Sequence, residues 1–108
     1  MVGPKGDIQL AIEVMLKRVP NPGKWTELNE ILIELRKLAM GQPGYITGET
    51  LLSSTDQGTT LVISTWSTIN GWLEFAASTR RMDLLDKMRP LLGEPSSMEM
   101  WVESPVIG

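Results

Sequence analysis

QPGYITGETLLSSTDQGTTLVISTWSTINGWLEF, residues 42–75, predicts two strands joined by a hairpin and followed by a helix. Tyr45–Ser54 and Thr59–Trp66 are rich in β-branched and aromatic residues, which favour strands. The polar run 54–58 ends in glycine and is typical of a hairpin connection. Ser67 or Thr68 can cap the helix that follows. The apolar face of that helix carries Ile69, Trp72, Leu73 and Ala76, with Phe75 beside it.

A strand and a helix are predicted before this stretch. Residues 8–19 alternate, with Ile8, Leu10, Ile12, Val14 and Leu16 on one face of a strand. After the breaker cluster at 19–23, apolar residues recur at helical spacing up to Gly41 and Pro43, which end the helix. That apolar stripe consists of Leu28, Ile31, Leu32, Leu35, Leu38 and Ala39.

A further helix and a last strand complete the pattern. Ser78 and Thr79 predict a break, and the next helix uses Leu84, Leu85, Met88 and Leu92, with Pro90 kinking or ending its last turn. Alternation at 98–103 predicts a fourth strand. The order βαββαβ, with the second helix split, is the ferredoxin-like arrangement. It predicts one α+β domain over residues 8–103, between a flexible N-terminus at 1–7 and a tail at 104–108.

The predicted sheet has helices on one face only, which leaves apolar side chains uncovered on the other. Trp101, or else the pair Met98 and Met100, must lie on this open face. An exposed apolar patch of that size is unfavourable for a monomer. Pairing of two sheets face to face would cover it. The sequence therefore predicts a homodimer.

Composition excludes several classes of function. The formal net charge is −3 and the pI is near 4.9, so neither nucleic acid nor an anionic membrane is an expected partner. The chain has no Cys and no His, which removes thiolate chemistry and the commonest metal ligand and general base. No metal site is predicted. No apolar run is long enough to cross a bilayer and no signal peptide is recognised, so the expected compartment is the cytoplasm.

Three segments resemble the antibiotic biosynthesis monooxygenase domain family. They are LRKLAMGQPGYITGETLL at 35–52, VISTW at 62–66, and Trp72 six residues later. The resemblance extends over roughly residues 8–103. It implies a ferredoxin-like fold that pairs as a dimeric α/β barrel. It also implies oxidation of an aromatic or quinol-like small molecule without metal or flavin, so no cofactor is expected.

The sequence departs from the haem-degrading members of that family. The resemblance places Leu84 or Leu85 where those members carry the His that holds iron, and Phe75 where they carry a helical Trp. Those members also carry an Asn on their first strand, and the first predicted strand of this chain has none. Because an axial ligand is the main hold of a protein on haem iron, haem degradation is disfavoured.

The predicted substrate pocket lies between sheet and helices and is lined by Trp66, Trp72, Phe75, Tyr45 and Leu85. The aromatic side chains among these could equally be ordinary core residues, and no catalytic base can be identified. The tandem arginines Arg80 and Arg81 could bind an anion, but solvated surface is the plainer interpretation. Glu13 and Glu49 are more simply explained by contacts across a dimer interface than by catalysis.

Two hypotheses follow. The first is a cofactor-independent monooxygenase with an aromatic-lined pocket. The second is a non-catalytic homodimer of the same fold that binds a small molecule or serves in assembly. An open pocket of a few hundred Å³ between sheet and helices would favour the first, and a dry space there that is filled by side chains would favour the second.

Overall fold

A computed structural model describes residues 10–104 of the 108-residue chain. The predicted flexible N-terminus and all of the predicted tail except Ser104 lie outside this range. The strands are β1 (Ile12–Arg18), β2 (Tyr45–Leu52), β3 (Thr60–Trp66) and β4 (Ser97–Val102). The helices are α1 (Trp25–Met40), α2 (Ile69–Ala76) and α3 (Thr79–Met88), and a 3₁₀ turn at Arg89–Leu91 contains Pro90.

The four strands form one antiparallel sheet in the order β2-β3-β1-β4. This order and the sequence of elements confirm the predicted ferredoxin-like α+β fold. The register places Ile12 opposite Trp66, and Trp66 opposite Tyr45, on the face that the helices cover. Even-numbered residues of β1, β3 and β4 therefore point towards the helices, and odd-numbered residues point to the open face.

Side-chain caps fix where α2 and α3 begin. The Thr68 hydroxyl accepts a hydrogen bond from the Gly71 backbone N–H at 3.1 Å, so Thr68 caps α2. The Ser78 hydroxyl accepts from the Arg81 backbone N–H at 3.4 Å, so Ser78 caps α3. Each cap satisfies a backbone donor that the first helical turn would leave free.

The core consists of two clusters on the helix side of the sheet. One joins the sheet to α2 and contains Ile12, Val14, Ala39, Trp66, Trp72 and Phe75. The other joins α1 to α3 and contains Leu28, Leu32, Leu35, Leu84, Met88 and Leu91. The stripe predicted for α1 is confirmed, because its buried residues are Leu28, Leu32, Leu35 and Ala39.

The open face of the sheet carries apolar and acidic side chains together. By register, Met15 of β1 and Ile63 of β3 lie opposite each other on this face, and Trp101 lies opposite Glu13. Trp101 is 58% exposed. Of the two alternatives for β4, the open face thus carries Trp101, and Met98 and Met100 lie on the helix side. Whether a second copy covers this face remains a prediction.

Candidate functional site

Four aromatic rings meet where β3 turns into α2. Trp66 is fully buried at the centre of the group. Its ring centroid lies 5.4 Å from Phe75, 5.5 Å from Tyr45 and 5.8 Å from Trp72. The Phe75 ring is stacked on Trp66, and the other two meet it edge to face, both of which are favourable ring geometries.

Two local contacts hold this aromatic cluster in position. The Trp66 indole Nε1–H donates a hydrogen bond to the Ser64 hydroxyl at 3.0 Å, so the buried donor is satisfied within its own strand. Tyr45 extends along β2 over Gly48, where a side chain would collide with its hydroxyl. Sequence reasoning identified Tyr45 and Trp66 as pocket residues but missed Ser64 and Gly48.

The aromatic cluster borders a cavity between the sheet and helices α1 and α2. Its volume is about 60 Å³, and Trp66, Trp72, Phe75 and Tyr45 all line it. An engineered cavity of roughly 150 Å³ binds benzene, and this one, at less than half that volume, is too small for an aromatic ring. It suits a diatomic gas or one or two waters. We call it the aromatic cavity.

A second and larger cavity lies beside it, between β1, α3 and the loop that leads into β4. Its volume is about 530 Å³, within the range of small-molecule sites. Leu85 lines this space and not the aromatic cavity. The structure therefore brings four of the five predicted pocket residues together, and places the fifth in the neighbouring space, which we call the wide cavity.

Three side chains line both cavities: Leu16, Arg18 and Arg81. Arg18 is only 2% exposed and Arg81 only 8%. The Arg81 guanidinium carbon lies 5.0 Å from the Trp72 ring centroid and 5.7 Å from that of Phe75, and its Nη1 donates to the Ala76 carbonyl at 3.2 Å. The plainer interpretation, that the tandem arginines are both surface, holds for Arg80 and is wrong for Arg81.

Neither buried arginine has an acidic partner in the part of the chain that the structure describes. There, ion pairs join Lys24 to Glu27 and Arg89 to Asp86. Arg18 Nε is buried without a hydrogen-bond acceptor among the same residues. Burial, with a smaller contribution from the charge of Arg81, lowers the pKa of Arg18 to about 10. Burial also lowers the pKa of Arg81.

Sequence signals for both arginines exist and were missed. Arg18 follows Leu16 by two residues and so continues the alternation of Ile12, Val14 and Leu16. This spacing places it on the face of the sheet that the helices cover. Arg81 precedes Leu84 by three residues and Met88 by seven, which places it on the buried stripe of α3.

The two glutamates considered from sequence lie on the open face of the sheet. Glu13 lies on the open face, and Glu49 pairs by register with Ile63 there, although it also borders the aromatic cavity. Between residues 10 and 104 no group of three or more potential metal-ligating side chains comes together. Over the same range, no helix is long and apolar enough to span a bilayer.

Comparison with known proteins gives matches at the level of structure only. No protein-family model matches the chain, and no curated protein sequence matches it significantly. Two solved structures, from Nitrosomonas europaea and Caulobacter crescentus, are each described as a "putative antibiotic biosynthesis monooxygenase". Both superpose with a TM-score of 0.82, at 12% and 17% identity, and cover 93% of this chain and 96% and 95% of their own.

A third solved structure has a stated activity. SnoaB, a cofactor-independent oxygenase from Streptomyces nogalater, matches with a TM-score of 0.79 at 12% identity, over 91% of this chain and 97% of its own. At these identities the matches establish a shared fold. They agree with the fold that the sequence resemblance implied.

Proposed function

We propose that this chain is a cofactor-independent monooxygenase of the antibiotic biosynthesis type, acting on an aromatic or quinol-like small molecule. The observation that carries the proposal is the pair of adjoining cavities. One is ligand-sized and the other is small and lined by aromatic rings. The structural similarity to a cofactor-independent oxygenase supports the same type of chemistry.

In this proposal the substrate occupies the wide cavity and dioxygen the aromatic cavity. An activated methylene or phenol loses a proton, and the resulting anion reduces dioxygen directly. For a methylene between aromatic rings, one oxygen atom becomes the new carbonyl and the other leaves as water with the two hydrogens. Such chemistry requires the exclusion of water and a positive charge near the anion. The buried arginines between the two cavities provide that charge.

The proposed enzyme acts as a homodimer through its open sheet face. Met15, Ile63, Leu51 and Trp101 lie on that face by register. A second sheet packed against them would bury apolar area that a monomer leaves in water. The proposal places the substrate on the opposite, helix-covered side, so dimer formation does not obstruct either cavity.

Oxygen uptake tests the proposed activity. Purified protein is incubated with a panel of anthrones and hydroquinones, and products are examined after reaction under ¹⁸O₂. We expect uptake above the buffer rate and one labelled oxygen atom in the product. Leu85→Trp, which fills the wide cavity, should reduce the rate to that of buffer, whereas Leu73→Trp on the exposed side of α2 should not. Rates equal to buffer across the panel would refute the activity.

One observation favours a non-catalytic alternative. Because the aromatic cavity holds only about 60 Å³, the aromatic cluster could serve purely as core. The chain would then be a homodimeric binding or assembly module that uses the wide cavity alone. Saturable binding of panel compounds without any oxygen uptake would support this second function.

A further inference from the structure

The two buried arginines present an unusual charge distribution. Arg18 and Arg81 both line the wide cavity, and Arg81 is near enough to Arg18 for its charge to act on it. Proteins ordinarily pair a buried charge with an opposite charge. Residues 10–104 provide no carboxylate within ion-pair distance of either guanidinium. Two positive charges therefore stand together at the wall of a ligand-sized space.

Contacts with the protein satisfy Arg81 in part and leave Arg18 Nε without a partner among the described residues. The only side-chain hydrogen bond of Arg81 to the described residues is to the Ala76 carbonyl, a neutral acceptor. Arg18 Nε has no acceptor among the described residues. The hydroxyl of Thr60, which lies opposite Arg18 where β1 pairs with β3, also has no hydrogen-bond partner among them. A negatively charged group placed between the guanidiniums would supply the missing acceptors and offset the repulsion between them.

The rest of the wide cavity indicates what that anion is attached to. Its lining is largely apolar, from Leu16, Leu85, Met88, Leu92 and Pro95. The charges around it favour a singly charged ligand, because Glu94 offsets one of the two buried arginines and Asp86 pairs with the third lining arginine, Arg89. A carboxylate matches the planar fork of a guanidinium with two parallel hydrogen bonds. One acid group on an apolar, ring-sized body is therefore the ligand that fits.

We propose that Arg18 and Arg81 form a carboxylate-binding site and that the natural ligand of the wide cavity is an aromatic carboxylic acid. The ring lies against the apolar lining, and the acid group lies between the two guanidiniums. This inference rests on the proposed function only in naming the acid as the substrate of the oxygenase. The binding site itself is independent of any catalysis.

Calorimetric titration of the full-length protein tests the site with 1-naphthoate and its neutral isostere 1-naphthamide. We expect wild type to bind naphthoate at least about tenfold more tightly than naphthamide, because one charge-assisted hydrogen bond contributes an affinity difference of about that size. Arg18→Met and Arg81→Met should each abolish this preference while still binding naphthamide. Arg80→Met, at the exposed neighbouring position, should retain it. Glu94→Gln should retain or strengthen it, since Glu94 repels the acid.

Each contrary result has a defined meaning. Equal affinity for naphthoate and naphthamide in wild type, or a preference that survives in both arginine variants, overturns the carboxylate site. Inorganic phosphate that binds while naphthoate does not overturns the aromatic acid as ligand. A carboxylate preference without oxygen uptake from any panel compound, or from anthrones and hydroquinones that carry a carboxyl group, refutes the proposed oxygenase and leaves the site standing. Oxygen uptake without a carboxylate preference refutes the site and leaves the oxygenase standing.

Discussion

The hydroxyl of Tyr45 occupies the space that a side chain on Gly48 would need. A β-carbon built on Gly48 would lie 2.6 Å from the Tyr45 hydroxyl oxygen, whereas its next contacts are 3.4 Å or longer. The φ angle of Gly48 is not in the positive region that favours glycine. The glycine is therefore needed for the space it leaves to Tyr45 and not for its backbone conformation.

A double-mutant cycle measures that contact. We expect Gly48→Ala in wild type to lower the free energy of unfolding by about 1–3 kcal/mol, since the added methyl group displaces Tyr45. In the Tyr45→Phe background the collision is absent, and the same change should cost less than about 0.5 kcal/mol. Urea denaturation of the four proteins gives both values. Equal costs in the two backgrounds would contradict the contact.

The hydrogen bond from Trp66 to Ser64 predicts a second stability effect. Ser64→Ala leaves the buried indole N–H without its acceptor, and we expect a loss of about 1–3 kcal/mol in the free energy of unfolding. Ser67→Ala, at an exposed serine three residues along, should change it by less than about 0.5 kcal/mol. Thermal unfolding followed by tryptophan fluorescence is the measurement. A Ser64→Ala protein as stable as wild type would show that the indole finds another acceptor.

Arg18 is predicted to lower the free energy of unfolding of the ligand-free protein. Its charge is buried without an acidic partner among residues 10–104, and buried charges cost more than apolar side chains of similar size. We expect Arg18→Met to raise the free energy of unfolding by about 1–4 kcal/mol. Arg80→Met should leave it unchanged within about 0.5 kcal/mol. Urea denaturation without ligand gives both numbers, and a destabilised Arg18→Met protein would contradict the prediction.

The same residue predicts a dependence on pH. Burial and then the charge of Arg81 lower the pKa of Arg18 to about 10 in the folded protein, below its ordinary value in an unfolded chain. Between these values the unfolded chain binds more protons, so the contribution of Arg18 to the free energy of unfolding rises with pH. The stability advantage of Arg18→Met should be constant below about pH 9 and shrink above pH 10. Paired urea titrations at several pH values measure it. An advantage that grows above pH 10 would have the wrong sign.

The open face predicts how the chain associates. Ile63 lies on that face in central strand β3. Ile63→Glu would bury two like charges in a face-to-face dimer, and we expect association to weaken by at least about a hundredfold. Leu73→Glu, on the exposed side of α2, should leave the dimer intact. Sedimentation equilibrium at micromolar concentration gives the mass, and a wild-type monomer of 12.0 kDa would refute the dimer itself.

The fold could be predicted from sequence because its signals are local. The alternation in β1, the apolar stripe of α1, the cap at Thr68 and the break at Ser78 each depend on a few neighbouring residues. The aromatic cluster could also be predicted from sequence, because Trp66, Trp72 and Phe75 lie within ten positions of one another on a strand end and the helix after it.

The charged part of the site could not be predicted in the same way. Arg18 and Arg81 are separated by most of the chain, and their proximity depends on how α3 packs over β1. Arg80 and Arg81 differ in sequence only by one position, and the rotation of α3 decides which of them is buried. The division of the interior into two cavities depends on side-chain volumes at many positions, which no local pattern encodes.

The buried arginine pair has a consequence for turnover. A ligand that binds only the folded chain stabilises it in proportion to the logarithm of its concentration. Because Arg18 is expected to lower the free energy of unfolding of the ligand-free form, that form should unfold more often and be cleaved faster by a protease. We therefore expect an acid that binds the pair to protect the chain from proteolysis, so that the amount of intact protein follows the supply of its own ligand.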